Sequence, residues 1–405
     1  MFETIEMAPA DPILGLTEAF KKDNRAGKIN LGVGIYMNEN GVTPIFESVR
    51  RAEKRLLEKE TSKAYLPIPG SPEYRAAVQQ LIFGARISVH NTGADHEIVA
   101  GKRAATAQTP GGTGALRVGA DFIKRMLPKA RMWISAPTWE NHAGVFKAAG
   151  LEVATYPYYD ADKKALAFDE MMRTINAVPA GDVVLLHACC HNPTGMDPEP
   201  SQWHAIADAA GQRGFLPFVD FAYQGLGDGL EEDATGLRIL CRPGRELIVA
   251  SSFAKNFGLY NDRAGALTLV AASEDAAQRA FSQIKICIRT NYSNPPAHGG
   301  LIVTTVLNDP ELRALWAQEV KDMCARIHGM RVLFVETLKA KGVTRDFSFI
   351  TRQKGMFSFS GLNRAQVEAL RDKYAIYVVG SGRINVAAMT RGNMDRLCQA
   401  IAEVL

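Results

Sequence analysis

Lys255 lies in Ser251-Ser252-Phe253-Ala254-Lys255-Asn256-Phe257-Gly258, directly after the apolar run Leu247-Ile248-Val249-Ala250. An amine just past the end of a buried strand, beside two hydroxyls and ahead of Arg263, is well placed for imine chemistry. Desolvation lowers its pKa, and the neighbouring groups are able to take a phosphate. A lone lysine is usually solvated and inert, so the assignment rests on what other segments bring to the same place.

In open α/β sheets, ligands sit beyond the carboxyl ends of the strands. Trp139 and His142 follow the run Met132-Trp133-Ile134-Ser135, and Asn192 follows Val183-Val184-Leu185-Leu186-His187. Asp220 and Tyr223 follow Phe215-Leu216-Pro217-Phe218-Val219. With Lys255, these runs deliver a polar set to one rim. Asp220 ends an apolar run, where an unpaired carboxylate is costly. Taken alone it reads equally well as a helix N-cap. A pyridoxal ring gives it a chemical purpose: a carboxylate beside the pyridine nitrogen keeps that nitrogen protonated. Tyr223 and Asn192 are then placed to donate hydrogen bonds to the ring's phenolate oxygen.

Gly111-Gly112-Thr113-Gly114-Ala115-Leu116-Arg117 opens a helix expected to run to residue 125. Glycines and a threonine at a helix start leave backbone N–H groups available to an anion. The segment fails as a dinucleotide fingerprint, because the third glycine position holds Arg117, and it lacks the Gly-Lys-Ser/Thr ending of a P-loop. By itself such a turn is more often structural. Together with Lys255 and Arg263 it is a candidate phosphate cradle.

The elements that must position these groups are legible as a pattern. From about residue 45 to 310, short apolar runs alternate with longer amphipathic stretches, which indicates a mostly parallel sheet covered by helices on both faces. Leu151-Glu152-Val153-Ala154 and Ala266-Leu267-Thr268-Leu269-Val270 complete the set of strand candidates, and 202–210 has a helical pattern. Residues 311–341 read as long helix. Phe347-Ser348-Phe349-Ile350 and Met356-Phe357-Ser358-Phe359 are expected to pair as a hairpin about Gln353-Lys354-Gly355. Further strands are expected at 374–379 and 384–388, with a closing helix over 393–405, giving a second, smaller α+β domain. Residues 1–44 carry few strand or helix signals. The expected division is an N-terminal arm at 1–11, a first small-domain segment at 12–44, a large domain at 45–310, and the linking helix and remaining small domain at 311–405.

Composition excludes several classes. The net charge of +4 over 405 residues, with no basic run, leaves no electrostatic footprint for nucleic acid. No apolar stretch is long enough to span a bilayer, and the acidic N-terminus is unlike a signal peptide. The six cysteines form no CxxC pair, and the adjacent Cys189-Cys190 has no paired ligand set around it, so no metal is expected. Buried thiols in the reducing cytoplasm are the expected state.

The segments His191-Asn192-Pro193-Thr194-Gly195, Asp220-Phe221-Ala222-Tyr223, Ser252-Phe253-Ala254-Lys255-Asn256-Phe257-Gly258-Leu259-Tyr260 and Ser381-Gly382-Arg383-Ile384-Asn385-Val386 carry a resemblance. They are similar to those of the fold type I pyridoxal-phosphate aminotransferases, and most closely to the aspartate/aromatic subgroup. The resemblance begins at Asp11-Pro12-Ile13-Leu14-Gly15-Leu16 and Leu31-Gly32-Val33-Gly34 and covers nearly the whole chain. It implies a mostly parallel seven-stranded sheet in a large cofactor-binding domain, pyridoxal 5'-phosphate as cofactor, and a homodimer with shared active sites.

The resemblance also implies roles. Lys255 forms an imine with the cofactor and then shuttles a proton, Asp220 pairs with the pyridine nitrogen, and His142 supports Asp220 from behind. Asn192 and Tyr223 bond the phenolate oxygen, and Trp139 stacks on the ring. Gly112, Thr113, Ser252 and Arg263 hold the phosphate, joined by Tyr65 from the neighbouring subunit. Arg383 takes the substrate's α-carboxylate with Asn192 and Gly34 nearby, and Arg289 of the neighbour takes a dicarboxylate's second carboxyl group. Cis bonds are implied at Ala136-Pro137 and Asn192-Pro193.

Met37 and Ala64 depart from the aspartate-specific pattern, since more polar residues are common there, and they ease entry of an aromatic side chain. Thr113 and Asn294 resemble the aspartate type. The stretch 89–102 has no evident counterpart and is expected to be a surface loop. The expected reaction is ping-pong transfer of an amino group from aspartate, and from aromatic amino acids, to 2-oxoglutarate, with a tyrosine/phenylalanine enzyme as the alternative. Decarboxylation fits less well, because an α-carboxylate clamped by Arg383 lies near the ring plane. A non-enzymatic regulator would be expected to lack Lys255 or to carry a DNA-binding domain.

Overall fold

The computed structural model describes residues 1–8, 13–84 and 94–405. The Asp11-Pro12 start of the first resembling segment, the expected boundary there, and residues 89–93 of the expected loop lie outside them. The chain divides into two compact units, one of Met1–Thr43, Pro193–Gly195 and Arg326–Leu405, the other of Pro44–Asn192 and Met196–Ala325.

The larger unit is built on a seven-stranded sheet. Its strands are β1 (Ala104–Pro110), β2 (Arg131–Ala136), β3 (Glu152–Pro157), β4 (Val183–His187), β5 (Leu216–Phe221), β6 (Leu247–Ser252) and β7 (Ala264–Val270). The spatial order is β1-β7-β6-β5-β4-β2-β3. All pairs are parallel except those of β7, which runs antiparallel to both β1 and β6. The central strands read as continuous apolar runs because both faces are covered. Every residue of β4, β6 and β7 is buried.

Helices α1 (Gly111–Met126), α2 (Pro200–Arg213) and α3 (Glu274–Asn291) flank the sheet. Leu116, Phe122 and Ile123 of α1 and Ile284 and Ile288 of α3 pack with Phe218, Ile248 and Leu267 of the sheet in one core. Truncating Phe218 there to alanine costs about 3–5 kcal/mol, as for a buried phenylalanine in general. α2 starts on a Glu199–Gln202 capping box with Pro200 in its first turn and stops at Gly214, whose φ is 73°. That stop turns the chain straight into β5 and so fixes where Asp220 falls.

β1 is absent from the apolar runs of the sequence because it reads Ala-Ala-Thr-Ala-Gln-Thr-Pro. It holds its place through polar pairing instead: Thr106 Oγ1 lies 2.9 Å from Thr268 Oγ1 of β7, and Gln108 Nε2 donates to the Pro296 carbonyl at 2.8 Å. The stretch expected as a loop contains a helix, Ala94–Ala100, with Ile98 buried. Arg103 then anchors the start of β1 by donating to the Ala271 and Arg245 carbonyls, each at 2.8 Å.

The smaller unit also corrects the expectations. Residues that carry few helix or strand signals in the sequence form a helix, Leu14–Lys22, and a short strand, Ile29–Asn30, that pairs in parallel with Ile376–Tyr377. The expected hairpin does not form. Ser348–Arg352 is a 3₁₀ turn, whereas β8 (Phe357–Phe359) pairs antiparallel with β9 (Arg383–Asn385). Residues 386–388 continue as a 3₁₀ turn, and the closing helix spans Arg391–Val404. The 31-residue helix α4 (Pro310–Ala340) gives its first part to the larger unit and its last part to the smaller. Ala136–Pro137 is cis as expected, whereas Asn192–Pro193 is trans, the lower-energy isomer of such bonds, and that expectation is overturned. Among the described residues, no helix is long and apolar enough to cross a membrane.

Candidate active site

Asp220 and Lys255 come from adjacent parallel strands. Asp220 is the next-to-last residue of β5, opposite Ala250 of β6, and Lys255 follows the end of β6. Burial lowers the Lys255 ammonium to about 8; the Asp220 carboxylate opposes the shift and Arg263 reinforces it. Its Nζ stands 4.8 Å from the centre of the Tyr223 ring, which is itself buried.

Burial pushes Asp220 upward, but the hydrogen bond with His142, helped by the nearby Lys255, outweighs it, so the carboxyl group stays below its ordinary range. His142 Nε2 lies 2.9 Å from Asp220 Oδ2. On its other side, His142 Nδ1 lies 2.8 Å from Thr138 Oγ1, which is 3.2 Å from His187 Nε2. Burial lowers His187 to about 3 and His191 well below the ordinary value, so both rings are neutral. Trp139 meets His142 edge to face at 5.2 Å. Asn192 is buried, and its backbone N–H points at His187 Nδ1 at 3.5 Å.

The glycine turn sits where β1 passes into α1. Gly111 has φ of 72°, and a Cβ there would fall 2.6 Å from Arg263 Nη2. A Cβ on Gly112 would come within 3.0 Å of the Ser252 Cβ. No side chain caps the start of α1, which leaves its first N–H groups available, and Arg263 and Ser252 approach Gly111 and Gly112. A side chain at either glycine would fill this cradle. A helix N-terminus, an arginine and two hydroxyls suit a phosphate dianion. An ionised carboxylate and a lysine of lowered pKa suit the other end of pyridoxal phosphate.

Two expected site residues lie apart from this group. Tyr65 is 91% exposed, and Arg289 is exposed in the last turn of α3, donating to Ser293 Oγ. No hydrogen bond or ion pair among the described residues ties either to Lys255. Gly34 and Arg383 belong to the smaller unit. Arg383 is 1% exposed, donates to the Gly32 carbonyl at 2.7 Å, and lies 4.3 Å from the centre of the Phe357 ring.

Sequence reading missed the Thr138–His187 extension of the Asp220–His142 pair, although a histidine ending a buried strand is a usable signal. It also missed that Asp233 meets Cys189 and Cys190, their ligand atoms lying within 4.8 Å of one another. The Asp233 carboxylate there accepts from the Gly225, Gly227 and Asp228 N–H groups at 2.8–2.9 Å. Burial raises Asp233 to about 6 and Cys190 to about 12, so this corner holds protonated thiols around a loop cap.

Residues 26–401 match the family model for class I and II aminotransferases. The chain is 56% identical to the aspartate aminotransferase of Escherichia coli K12 over the whole of both chains. It is 43% identical to that organism's aromatic-amino-acid aminotransferase, again end to end. Among solved structures, the aromatic-amino-acid aminotransferase of Burkholderia pseudomallei, covalently bound to pyridoxal phosphate, superposes with a TM-score of 0.95. It is 49% identical, with 100% of this chain and 99% of that one covered.

Proposed function

The chain belongs to the class I and II aminotransferases and is a pyridoxal-phosphate-dependent transaminase, and on that footing we propose that aspartate is its main amino donor, aromatic amino acids further donors, and 2-oxoglutarate the acceptor. The observation that carries the chemistry is the placement of Lys255 and Asp220 at the ends of neighbouring strands. The preference for aspartate follows the higher identity to the aspartate enzyme.

Pyridoxal phosphate, when bound, supplies a sink for the electrons of the substrate's Cα–H bond. The protein does the rest. Lys255 attaches the cofactor and moves the proton at its Nζ, a task suited to an amine brought to about 8. Asp220, kept ionised by His142, holds the pyridine nitrogen's proton in place. Asn192 and Tyr223 would donate to the bound group's phenolate oxygen, and Trp139 would cover its ring. Gly112, Thr113, Ser252 and Arg263 take the phosphate. Arg383 is the proposed grip on the α-carboxylate, and Gly34, Trp139 and Asn192 are the further residues proposed for the substrate.

The exposure of Tyr65 and Arg289 supports a homodimer in which each subunit lends them to its partner's site, for phosphate and distal carboxylate respectively. No cysteine among the described residues is in a disulfide, and five of the six are buried, which supports residence in the reducing cytoplasm.

Aromatic transamination as the main activity is the second reading, favoured by the apolar Met37 and Ala64. Measuring kcat/KM for aspartate and phenylalanine side by side with 2-oxoglutarate decides between them. A higher value for phenylalanine overturns the aspartate assignment. Failure of glutamate to convert the cofactor's absorbance band, and of 2-oxoglutarate to restore it, overturns the acceptor.

A further inference from the structure

Within the smaller unit, Arg331 of α4 is 2% exposed and spends one nitrogen on two carbonyls. Its Nη2 donates to Gly355 at 2.6 Å and to Phe357 at 2.7 Å. These flank Met356, whose carbonyl accepts from Val386 N–H at 2.8 Å, just past the end of β9. Phe357 pairs with Asn385, and Arg383 with Phe359, so the β8–β9 ribbon carries the phenyl ring and the guanidinium on its two strands.

The ring has little freedom. Its centre lies 4.3 Å from the Arg383 guanidinium carbon, and a Cβ on Gly34 would fall 2.8 Å from its Cζ. It is therefore confined between Gly34 and Arg383. A cation over an aromatic face has its plane set by that face, and a bidentate grip on a carboxylate depends on the plane. Where Arg331 holds the Phe357 backbone, the ring is held, and the guanidinium with it. The Arg331 hydrogen bonds thus fix the backbone that carries the ring.

We propose that Arg331 is a positioning residue for carboxylate recognition, acting through Phe357 on the plane of the Arg383 guanidinium. This rests on the reading that Arg383 binds the α-carboxylate. Every substrate carries that group, so Arg331 governs aspartate, phenylalanine and 2-oxoglutarate alike.

The test compares Arg331→Met, Arg331→Lys, Phe357→Leu and Arg383→Lys in the cofactor-loaded enzyme. Arg331→Met is expected to raise KM for aspartate and phenylalanine equally, by about thirtyfold, the scale of one desolvated cation–π contact. Its kcat should change far less, and Arg331→Lys should recover part of the loss. The calorimetric Kd of 3-phenylpropionate, an unreactive carboxylate, should weaken in step. Reaction of the bound cofactor with hydroxylamine, which has no carboxylate, should keep its rate. Equal losses with hydroxylamine, or an unchanged KM and Kd, overturn the proposal. If the Arg331 variants do not fold, Phe357→Leu carries the test, because it removes the ring and leaves the Arg331 bonds in place. An unchanged KM there overturns the proposal as well. If Arg383→Lys itself leaves KM unchanged, the underlying reading of Arg383 falls. If Arg383→Lys raises KM while the other variants do not, the role of Arg331 alone falls.

Discussion

His142 Nε2 lies 2.9 Å from Asp220 Oδ2, and both side chains are buried. Burial pushes this carboxyl group upward, and its hydrogen bond with the imidazole more than offsets that at the end of β5. Its removal should act on turnover. Asp220→Ala is expected to lower kcat by about 10²–10⁴-fold with little change in KM for aspartate. Steady-state kinetics check this, and a kcat within about twofold of the parent would remove the electrostatic role.

Lys255→Ala removes both the attachment point and the proton carrier. Transamination should fall by about three orders of magnitude or more, while the cofactor remains bound through the cradle and Asp220. Cofactor content after gel filtration and single-turnover measurements separate the two effects. Near-parental turnover would dismiss Lys255 as the catalytic amine.

The lowered Lys255 value has a sign in stability. In the cofactor-free protein the group titrates at about 8, and in the unfolded chain at the ordinary 10.5. Between those values the unfolded state binds more protons, so stability rises with pH across that window. Relative to Lys255→Met, the cofactor-free parent should gain in urea midpoint from about pH 8 to 10.5. A flat difference would show that Lys255 titrates alike in both states.

Arg289→Leu separates substrates. Stranding a dicarboxylate's second carboxyl group costs roughly 2–5 kcal/mol, so kcat/KM for aspartate should fall by about a hundredfold. Phenylalanine, which has no second carboxylate, should be spared or improved. An equal loss on both would assign Arg289 to the dimer or the cofactor.

Gly111→Ala forces a side chain into a φ of 72° and against Arg263. The expected cost is about 1–3 kcal/mol of stability in the cofactor-free protein, with weakened cofactor binding. Unfolding curves and cofactor titration measure the two, and an unperturbed variant would mean that the cradle is looser than its geometry.

The sequence displayed Lys255, Asp220 and Asn192 because a buried strand is an apolar run, and the run fixes where the next polar residue lands. It concealed β1, whose Thr106 and Gln108 are paired by hydrogen bonds and not by greasy contact. Phe347-Ser348-Phe349 and Phe357-Ser358-Phe359 share one pattern, yet only the second is a strand, because only it finds β9 to pair with. Thr138 and His187 are 49 residues apart, and Asp233 is far along the chain from Cys189. Such meetings depend on side-chain torsions that no local pattern encodes.

The reversed direction of β7 has a consequence for cofactor size. Because β6 and β7 are antiparallel neighbours, Lys255 and Arg263 lie on the single connection between them, at the same edge of the sheet. Were β7 parallel, Arg263 would enter at the opposite edge, about 20 Å away. The proposed covalent anchor and one proposed ionic anchor thus share one connection, closed by the ladder at Gly265 and Ser252. On the proposed roles, their separation would gauge the span between a ligand's aldehyde and its phosphate, and lengthening that one loop would reset it.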